Sequence, residues 1–214
     1  MQGVVQWPWS PELRGQRSSA RIRQALVPAA ARISTTDSYQ KPKQLICVDG
    51  TPVIIHLLKG LKAAGIERVV ITLGHKGAVV ADEVRRTRCD LEPMRIEFVW
   101  CESSSWKRGH ASNILAARSM FAGTEPLLVV MSDHLYDWQL LRQMADAQLS
   151  ADCDANVLVD DSLQMITWAN KDHCGVHCKH GHCYSLVKVL KGGHDRVSRI
   201  GKTLNSFDAL ETGV

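Results

Sequence analysis

The sequence predicts an α/β protein with a Rossmann-like, mostly parallel sheet flanked by helices and a smaller antiparallel extension. Strand-like and helix-like segments alternate from Gln24 to about Asp154, which is the pattern of βαβ units in a parallel sheet. The run Leu127–Met131 contains no polar residue, as is typical of a strand covered on both faces. After about Asp154 the apolar runs become shorter and polar, glycine-containing segments separate them, which indicates antiparallel pairing.

The predicted elements begin with a short strand, Gln24–Val27, which Pro28 ends. Thr51 and Pro52 predict the start of the first helix, with Thr51 as N-cap and Pro52 at the first helical position. Gly65 predicts the end of that helix as its C-terminal cap. The later elements follow in chain order: strand Arg68–Leu73, helix Ala78–Thr87, strand Arg95–Trp100, helix Ala111–Phe121, central strand Leu127–Met131, helix Asp137–Leu149, and extended pieces at Ala155–Asp160, Tyr184–Leu190 and Arg196–Ile200.

The loops that follow parallel strands meet at one edge of the sheet, where open α/β sheets bind ligands. Here these loops are Ala29–Thr36, Gly74–Gly77, Glu102–His110 and Ser132–Tyr136. Asp133 is the first candidate for chemistry, because it is an ionisable residue directly after the predicted central strand. The alternative is that Asp133 only helps to start the next helix, and this stretch alone does not decide between the two.

Composition bounds the class of protein. The 214 residues are 45% hydrophobic and 22% charged, which suits one soluble globular domain or a domain with a small appendage. A net charge of +4 is too mild for a nucleic-acid interface but suits an anionic substrate. No apolar run is long enough to span a bilayer. Seven cysteines without a Cys-x-x-Cys pair indicate reduced thiols and a cytoplasmic location.

Residues 1–23 carry four arginines and few apolar positions, without the apolar core of a secretory signal. We therefore expect a flexible N-terminal extension, with an organelle-targeting peptide as the alternative. The rest, residues 24–214, is expected to form one domain with a core at 24–154 and a second part at 155–214.

Short motifs along residues 24–214 together resemble the nucleotidyltransferase (nucleoside-triphosphate transferase) superfamily. In chain order they are Pro28–Ser34, Pro42–Leu45, Asp49–Pro52, Gly65-Ile66 before a strand, and Ser132-Asp133 at a strand end. Three further segments are most similar to the CTP-dependent inositol-1-phosphate cytidylyltransferases, with the phosphocholine and aminoethylphosphonate enzymes close behind. These segments are Gly109–Asn113, Val130–His134 and Arg199–Val214.

The resemblance implies a fold of the nucleotide-diphospho-sugar transferase type and a Mg²⁺-dependent transfer of CMP from CTP to a phosphorylated alcohol, with release of pyrophosphate. It implies that Asp133 holds Mg²⁺ and that Lys43 reaches the α-phosphate as a compact positive charge. Arg32 and neighbouring backbone N–H groups would wrap the triphosphate. The implied substrate-binding residues are Ala29, Ala30, Ala31, Ser34, Gly109, Ser112, Glu211 and Thr212, and the part at 155–214 would face the acceptor.

Plainer interpretations of these residues stay open. Lys43 could be a solvated loop charge, Arg32 a surface residue, and His134 a packing or helix-capping residue. The partners implied are a nucleoside triphosphate and a small phosphorylated acceptor, with no nucleic acid, and a homodimer is compatible with the sequence.

The chain also departs from the family pattern. Ala31 and Ile33 stand where the family usually has glycines, which let backbone approach phosphates closely, and Thr35 replaces an arginine. The sequence ends at Val214, where family members continue, so we expect a C-terminally truncated domain. Two alternatives follow: a sugar-1-phosphate nucleotidyltransferase that uses another nucleotide, or a non-catalytic nucleotide-binding paralogue.

A dense cluster of histidines and cysteines precedes Tyr184. His173, Cys174, His177 and Cys178 are ligand types that Zn²⁺ binds tetrahedrally. Their spacing matches no standard zinc finger, so an incidental cluster in an insertion is the alternative that the spacing favours.

Overall fold

The computed structural model describes residues 21–30, 41–102, 110–121, 125–149, 153, 155–162, 187–193 and 196–214. The chain divides into two compact units, with the division after Asn156. The described strands of the first unit are β1 (Gln24–Pro28), β2 (Cys47–Val48), β3 (Thr51–Pro52), β4 (Arg68–Leu73), β5 (Arg95–Trp100) and β6 (Leu128–Val129). Its described helices are α1 (Val53–Ala63), α2 (Gly77–Arg86), α3 (Arg88–Leu91), α4 (His110–Ala116) and α5 (Trp138–Asp146). None of these helices is long and apolar enough to cross a membrane.

A parallel sheet forms the core of this unit, and its described strands lie in the order β5-β4-β1-β6. All five residues of β1 are buried. This strand pairs with β4 from Gln24↔Arg68 to Pro28↔Thr72, and with β6 at Leu26↔Val129. Because every pairing is parallel, the loops after β1, β4, β5 and β6 begin at the same edge, as the sequence predicted.

The predicted central strand Leu127–Met131 is shorter in the structure. Only Leu128–Val129 forms a strand, and it lies at an edge of the described sheet, beside β1. Its neighbours are nevertheless buried: Leu127 packs with Leu26, Val70 and Ala117 in one core cluster. The apolar run therefore reflects side-chain packing, which a sequence pattern cannot distinguish from a central position in the hydrogen-bonded ladder.

The start of α1 also differs from its prediction. Thr51 and Pro52 form strand β3, which pairs antiparallel with β2, and the helix begins at Val53. Asp49 and Gly50 connect the two strands with φ angles of 49° and 74°, the left-handed pair that a tight Asp-Gly hairpin turn requires. The hairpin keeps Thr51 extended, so Pro52 occupies the N-cap position and no side chain caps the helix there.

The end of α1 agrees with its prediction. Gly65 has a φ angle of 87°, and its N–H donates to the Lys62 carbonyl oxygen at 2.9 Å. The Ile66 N–H donates to the Leu61 carbonyl oxygen at 3.0 Å. This pair of hydrogen bonds is a Schellman motif, for which glycine suits the left-handed position.

The second unit contains an antiparallel sheet, as the change in sequence texture predicted. Its described strands are β7 (Val159–Asp160), β8 (Lys188–Lys191), β9 (Val197–Gly201) and β10 (Ala209–Glu211). They lie in the order β7-β10-β8-β9, and β10 pairs antiparallel with both β7 and β8. The combination of a parallel sheet with helices and a smaller antiparallel sheet confirms the predicted fold class.

Candidate active site

Segments at the carboxyl edge of the parallel sheet carry the described candidate residues of the first unit. Asp133 follows β6, and the buried residues Ala29 and Ala30 follow β1. The Ala29 N–H donates to the Thr72 carbonyl oxygen at 2.9 Å, which holds this segment against the end of β4. Lys43 begins a short 3-10 helix, Lys43–Leu45, and its side chain is exposed.

Asp133 is held in its ionised form. His134 Nδ1 lies 2.9 Å from Asp133 Oδ1, and this hydrogen bond is the largest cause of a pKa below the usual value for aspartate. Partial burial, with 32% of the side chain exposed, opposes that shift, while electrostatic interactions with His134 and with Lys43 add to it. The Lys43 charge thus acts on the Asp133 carboxylate, and a joint role of the two residues stays a prediction.

The alternative role of Asp133, starting the next helix, is wrong. Helix α5 begins at Trp138, and its N-cap is Asp137, whose carboxylate accepts a hydrogen bond from the Gln139 N–H at 2.8 Å. His134 does not cap that helix either. Its ring stacks on Tyr136 at a centroid distance of 6.0 Å while Nδ1 contacts Asp133. The histidine thus packs, as one interpretation held, and also orients the carboxylate.

A buried hydrogen-bond network joins the segments that carry Lys43 and Asp133. Gln44 is only 5% exposed, and its Nε2 donates to Ser132 Oγ at 3.2 Å and to the Ala29 carbonyl oxygen at 3.4 Å. Ser132, 2% exposed, donates from Oγ to the Pro28 carbonyl oxygen at 2.7 Å. We call these contacts the Gln44–Ser132 clamp. Neither Gln44 nor Ser132 was predicted to have a role, because nothing in the neighbouring sequence of either residue indicates a partner so far along the chain.

The donor chemistry of the site fits Mg²⁺. An ionised, partly exposed carboxylate is a hard oxygen ligand, and Mg²⁺ is commonly bound through one or two carboxylates with water and substrate phosphates completing its shell. Within the described residues no group of three or more histidine, cysteine, aspartate or glutamate side chains could hold a metal ion. Among these residues, Asp133 would hold a metal together with substrate oxygens.

Several predicted site residues lie outside the described residues. They are Ala31, Arg32, Ser34 and Gly109, and the predicted zinc ligands His173, Cys174, His177 and Cys178. Their roles stay predictions.

The remaining predicted residues are described but keep untested roles. Ser112 lies half-buried on α4. In the second unit, Thr212 donates from both its N–H and its Oγ1 to the Leu158 carbonyl oxygen at 3.2 Å. The Glu211 carboxylate accepts a hydrogen bond from the Gly213 N–H. These contacts order the end of β10, and substrate binding by Glu211 and Thr212 stays a prediction.

A cavity of about 600 Å³ lies at the opposite, amino edge of the sheet. It is lined by residues that begin or precede the strands: Arg21, Arg23, Gln24, Glu67, Arg68, Pro93, Arg95, Glu125 and Pro126. Arg23 pairs with Glu67 at 2.6 Å and Arg68 with Glu97 at 2.7 Å, so carboxylates already neutralise part of its charge. The cavity is distinct from the Asp133 site and contributes nothing to it.

Comparison with known proteins supplies the family context. A family model described as a MobA-like NTP transferase domain matches residues 29–196. A curated relative, the bifunctional protein GlmU of Syntrophomonas wolfei subsp. wolfei, is 31% identical over 118 residues, which are 55% of this chain and 24% of GlmU. The chain thus spans about a quarter of the length of this curated relative.

Solved structures resemble the fold over most of the chain. The inositol-1-phosphate CTP transferase from T. maritima superposes with a TM-score of 0.59 and 17% identity, covering 91% of this chain and 69% of that one. HddC from Yersinia pseudotuberculosis, solved with GMP-PN, has a TM-score of 0.59 and 14% identity, covering 90% of this chain and 74% of that one. At these identities the likeness shows the fold.

Proposed function

We propose, from the premise that this chain belongs to the MobA-like NTP transferase domain family, that it transfers CMP from CTP to a phosphorylated alcohol and releases pyrophosphate. The family match confirms the predicted superfamily and supports the predicted class of enzyme, a nucleotidyltransferase. The observation that carries the proposal is the contact of Gln44 with Ser132, which brings the segments of Lys43 and Asp133 together at the carboxyl edge. The Lys43 charge is among the causes that lower the pKa of Asp133.

The proposed reaction forms one bond and breaks another. A phosphate or phosphonate oxygen of the acceptor attacks the α-phosphorus of CTP, and the bond from that phosphorus to the β-phosphate oxygen breaks, so pyrophosphate leaves with the electron pair. The acceptor and the triphosphate are both anions, so the protein must position them and neutralise their charge. Lys43 would stabilise negative charge on the α-phosphate oxygens as the bonds change.

Asp133 would hold Mg²⁺ in this reaction, and the ion would neutralise charge on the triphosphate when bound. The hydrogen bond from His134 supports this role, because it keeps the carboxylate ionised and in one orientation. Ala29 and Ala30, which follow β1 at the same edge, would place backbone close to the nucleotide.

CTP is proposed on the resemblance to cytidylyltransferases, and a structural neighbour named as a CTP transferase supports it. Another neighbour was solved with GMP-PN, which keeps a sugar-1-phosphate transferase with a different nucleotide as the second candidate. The non-catalytic paralogue, suggested by Ala31, Ile33 and Thr35, would bind nucleotide without turnover.

The test is pyrophosphate release from a matrix of CTP, UTP, GTP and ATP with inositol-1-phosphate, phosphocholine, a phosphonate and glucose-1-phosphate. We expect turnover with CTP and a phosphorylated alcohol. Preferred use of UTP or GTP with the sugar phosphate would replace the lead proposal by the second candidate. Nucleotide binding measured by calorimetry, without pyrophosphate release from any pair, would identify the non-catalytic paralogue.

Lys43→Ala tests the role of the lysine, and Lys41→Ala is its matched control, since both side chains are exposed in the same segment. Removing a group that stabilises charge in the transition state lowers turnover by a factor of about 10²–10³. We expect a loss of this size for Lys43→Ala and less than about twofold for Lys41→Ala. Equal activity of the two variants would remove Lys43 from the mechanism.

A further inference from the structure

We infer that Gln44 is a positioning residue for the active site: its buried carboxamide holds the Lys43 segment and the Asp133 segment in a fixed relation. That this fixed relation matters for catalysis rests on the proposed function. The contacts themselves are observed in the protein and do not depend on which reaction it catalyses. They join three segments of the sheet's carboxyl edge that are distant in sequence.

The chemistry of the neighbours fixes the orientation of the amide. A backbone carbonyl oxygen can only accept a hydrogen bond, so the side-chain atom facing the Ala29 carbonyl must be the Gln44 nitrogen. The Ser132 hydroxyl uses its hydrogen toward the Pro28 carbonyl, so its oxygen accepts from the second Gln44 N–H. Both N–H groups of the amide are used, and reversing it would place two oxygen atoms against each other.

The clamp acts on the two charged residues through their immediate chain neighbours. Gln44 and Ser132 are buried, whereas Lys43 and Asp133, each one residue away, are exposed. Lys43 is also part of a stiff turn, because the Leu45 N–H donates to the Pro42 carbonyl and the Ile46 N–H donates to the Lys43 carbonyl. A movement of Gln44 therefore moves Lys43 with it.

This arrangement matters because phosphoryl chemistry depends on positioning. Supporting residues that hold catalytic groups within about half an ångström determine how well a site works. Hydrogen-bonding partners behind metal ligands typically change metal affinity or activity about 10–100-fold when they are replaced. We place Gln44 in this class, acting through Lys43 and Asp133 without touching substrate.

Gln44→Met is the test variant, because methionine keeps the length and volume of the side chain and removes the amide. Gln24→Met is the matched control: Gln24 is similarly buried but lies at the start of β1, at the amino edge. The first readout is hydrogen–deuterium exchange of two segments, residues 41–48 and 130–137. We expect Gln44→Met to raise exchange in both segments, and Gln24→Met to raise it in neither.

The second readout is Mn²⁺ affinity, measured by calorimetry, and the third is the split between kcat and KM for CTP. For Gln44→Met we expect Mn²⁺ binding to weaken and kcat to fall, each by about 10–100-fold, with KM nearly unchanged. Ser132→Ala removes the hydroxyl that accepts a hydrogen bond from the same amide. It should change hydrogen exchange, Mn²⁺ affinity and kcat in the same directions, but by smaller factors. It serves as the test if Gln44→Met does not fold.

The outcomes separate this inference from the proposed function. Unchanged exchange and unchanged Mn²⁺ affinity in Gln44→Met, or equal changes in Gln24→Met, would overturn the positioning role. If the unaltered protein releases no pyrophosphate but Gln44→Met still loosens both segments and weakens Mn²⁺ binding, the clamp stands and the proposed reaction fails.

Discussion

Gly65→Ala tests how the end of α1 is held. The residue has a φ angle of 87°, and an added Cβ would lie 2.9 Å from Arg21 Nη2 and 3.2 Å from Cζ. That guanidinium donates to the Ala64 carbonyl oxygen, and its Nε lies 3.0 Å from Asp146 Oδ1. The substitution therefore strains the backbone and displaces a side chain that ties α1 to α5.

The two contributions can be estimated separately. A left-handed conformation costs an L-residue about 1–2 kcal/mol, of which the lower entropy of the unfolded alanine chain offsets about 0.4–1 kcal/mol. Losing the Arg21 hydrogen bond costs about 1 kcal/mol, and a partly exposed ion pair adds at most about 1 kcal/mol. We expect Gly65→Ala to lower the free energy of unfolding by about 2–3 kcal/mol.

Gly50→Ala is the control, because Gly50 has a φ angle of 74° and nothing lies within 4 Å of its added Cβ. Gly50→Ala should lower the free energy of unfolding only by the cost of the left-handed backbone conformation, about 1 kcal/mol. Urea unfolding followed by circular dichroism measures both variants, alone and in an Arg21→Ala background. Equal losses for the two glycine variants, or an unchanged loss for Gly65→Ala once Arg21 is absent, would refute the assigned contact.

Three further predictions concern charges and caps. The Arg68 hydrogen bond holds the pKa of Glu97 below its ordinary value, so the pair stabilises the fold above the unfolded pKa and this contribution is lost as the pH falls through the folded pKa. Glu97→Gln should therefore cost about 1 kcal/mol at neutral pH and progressively less as the pH falls through the folded-state pKa of Glu97, in urea unfolding measured across that pH range. Asp137→Ala removes the N-cap of α5 and should cost about 1 kcal/mol in thermal unfolding without changing turnover. Asp133→Asn should abolish Mn²⁺ binding in calorimetry and lower turnover at least about a hundredfold; retained binding would place the metal elsewhere.

Local patterns predicted most of the first unit correctly. The strands Arg68–Leu73 and Arg95–Trp100 agree with the structure residue for residue, because alternating and β-branched runs determine strand formation within a few residues. Gly65 was likewise predicted as the C-terminal cap of α1 from its immediate sequence neighbours. The parallel pairing followed from the alternation with helices, and it placed the loop that carries Asp133 at the carboxyl edge of the sheet.

Wrong predictions came from competing local signals. Thr51-Pro52 is a strong helix start, but Asp49-Gly50 is also a strong hairpin turn, and the hairpin prevails. Packing against Leu26 and Val70 explains why the sequence predicted a longer strand than the two residues that pair in the described sheet.

The sequence by itself determined the fold class, the family and the candidate pair of Lys43 and Asp133, because each depends on patterns or motifs within short windows. Only the tertiary structure decided that Asp137, and not Asp133, caps α5, and that His134 keeps Asp133 ionised. It alone showed the contact between Gln44 and Ser132, which are 88 positions apart. A buried amide selects its partner through the packing of distant segments, and no neighbour in the chain carries that information.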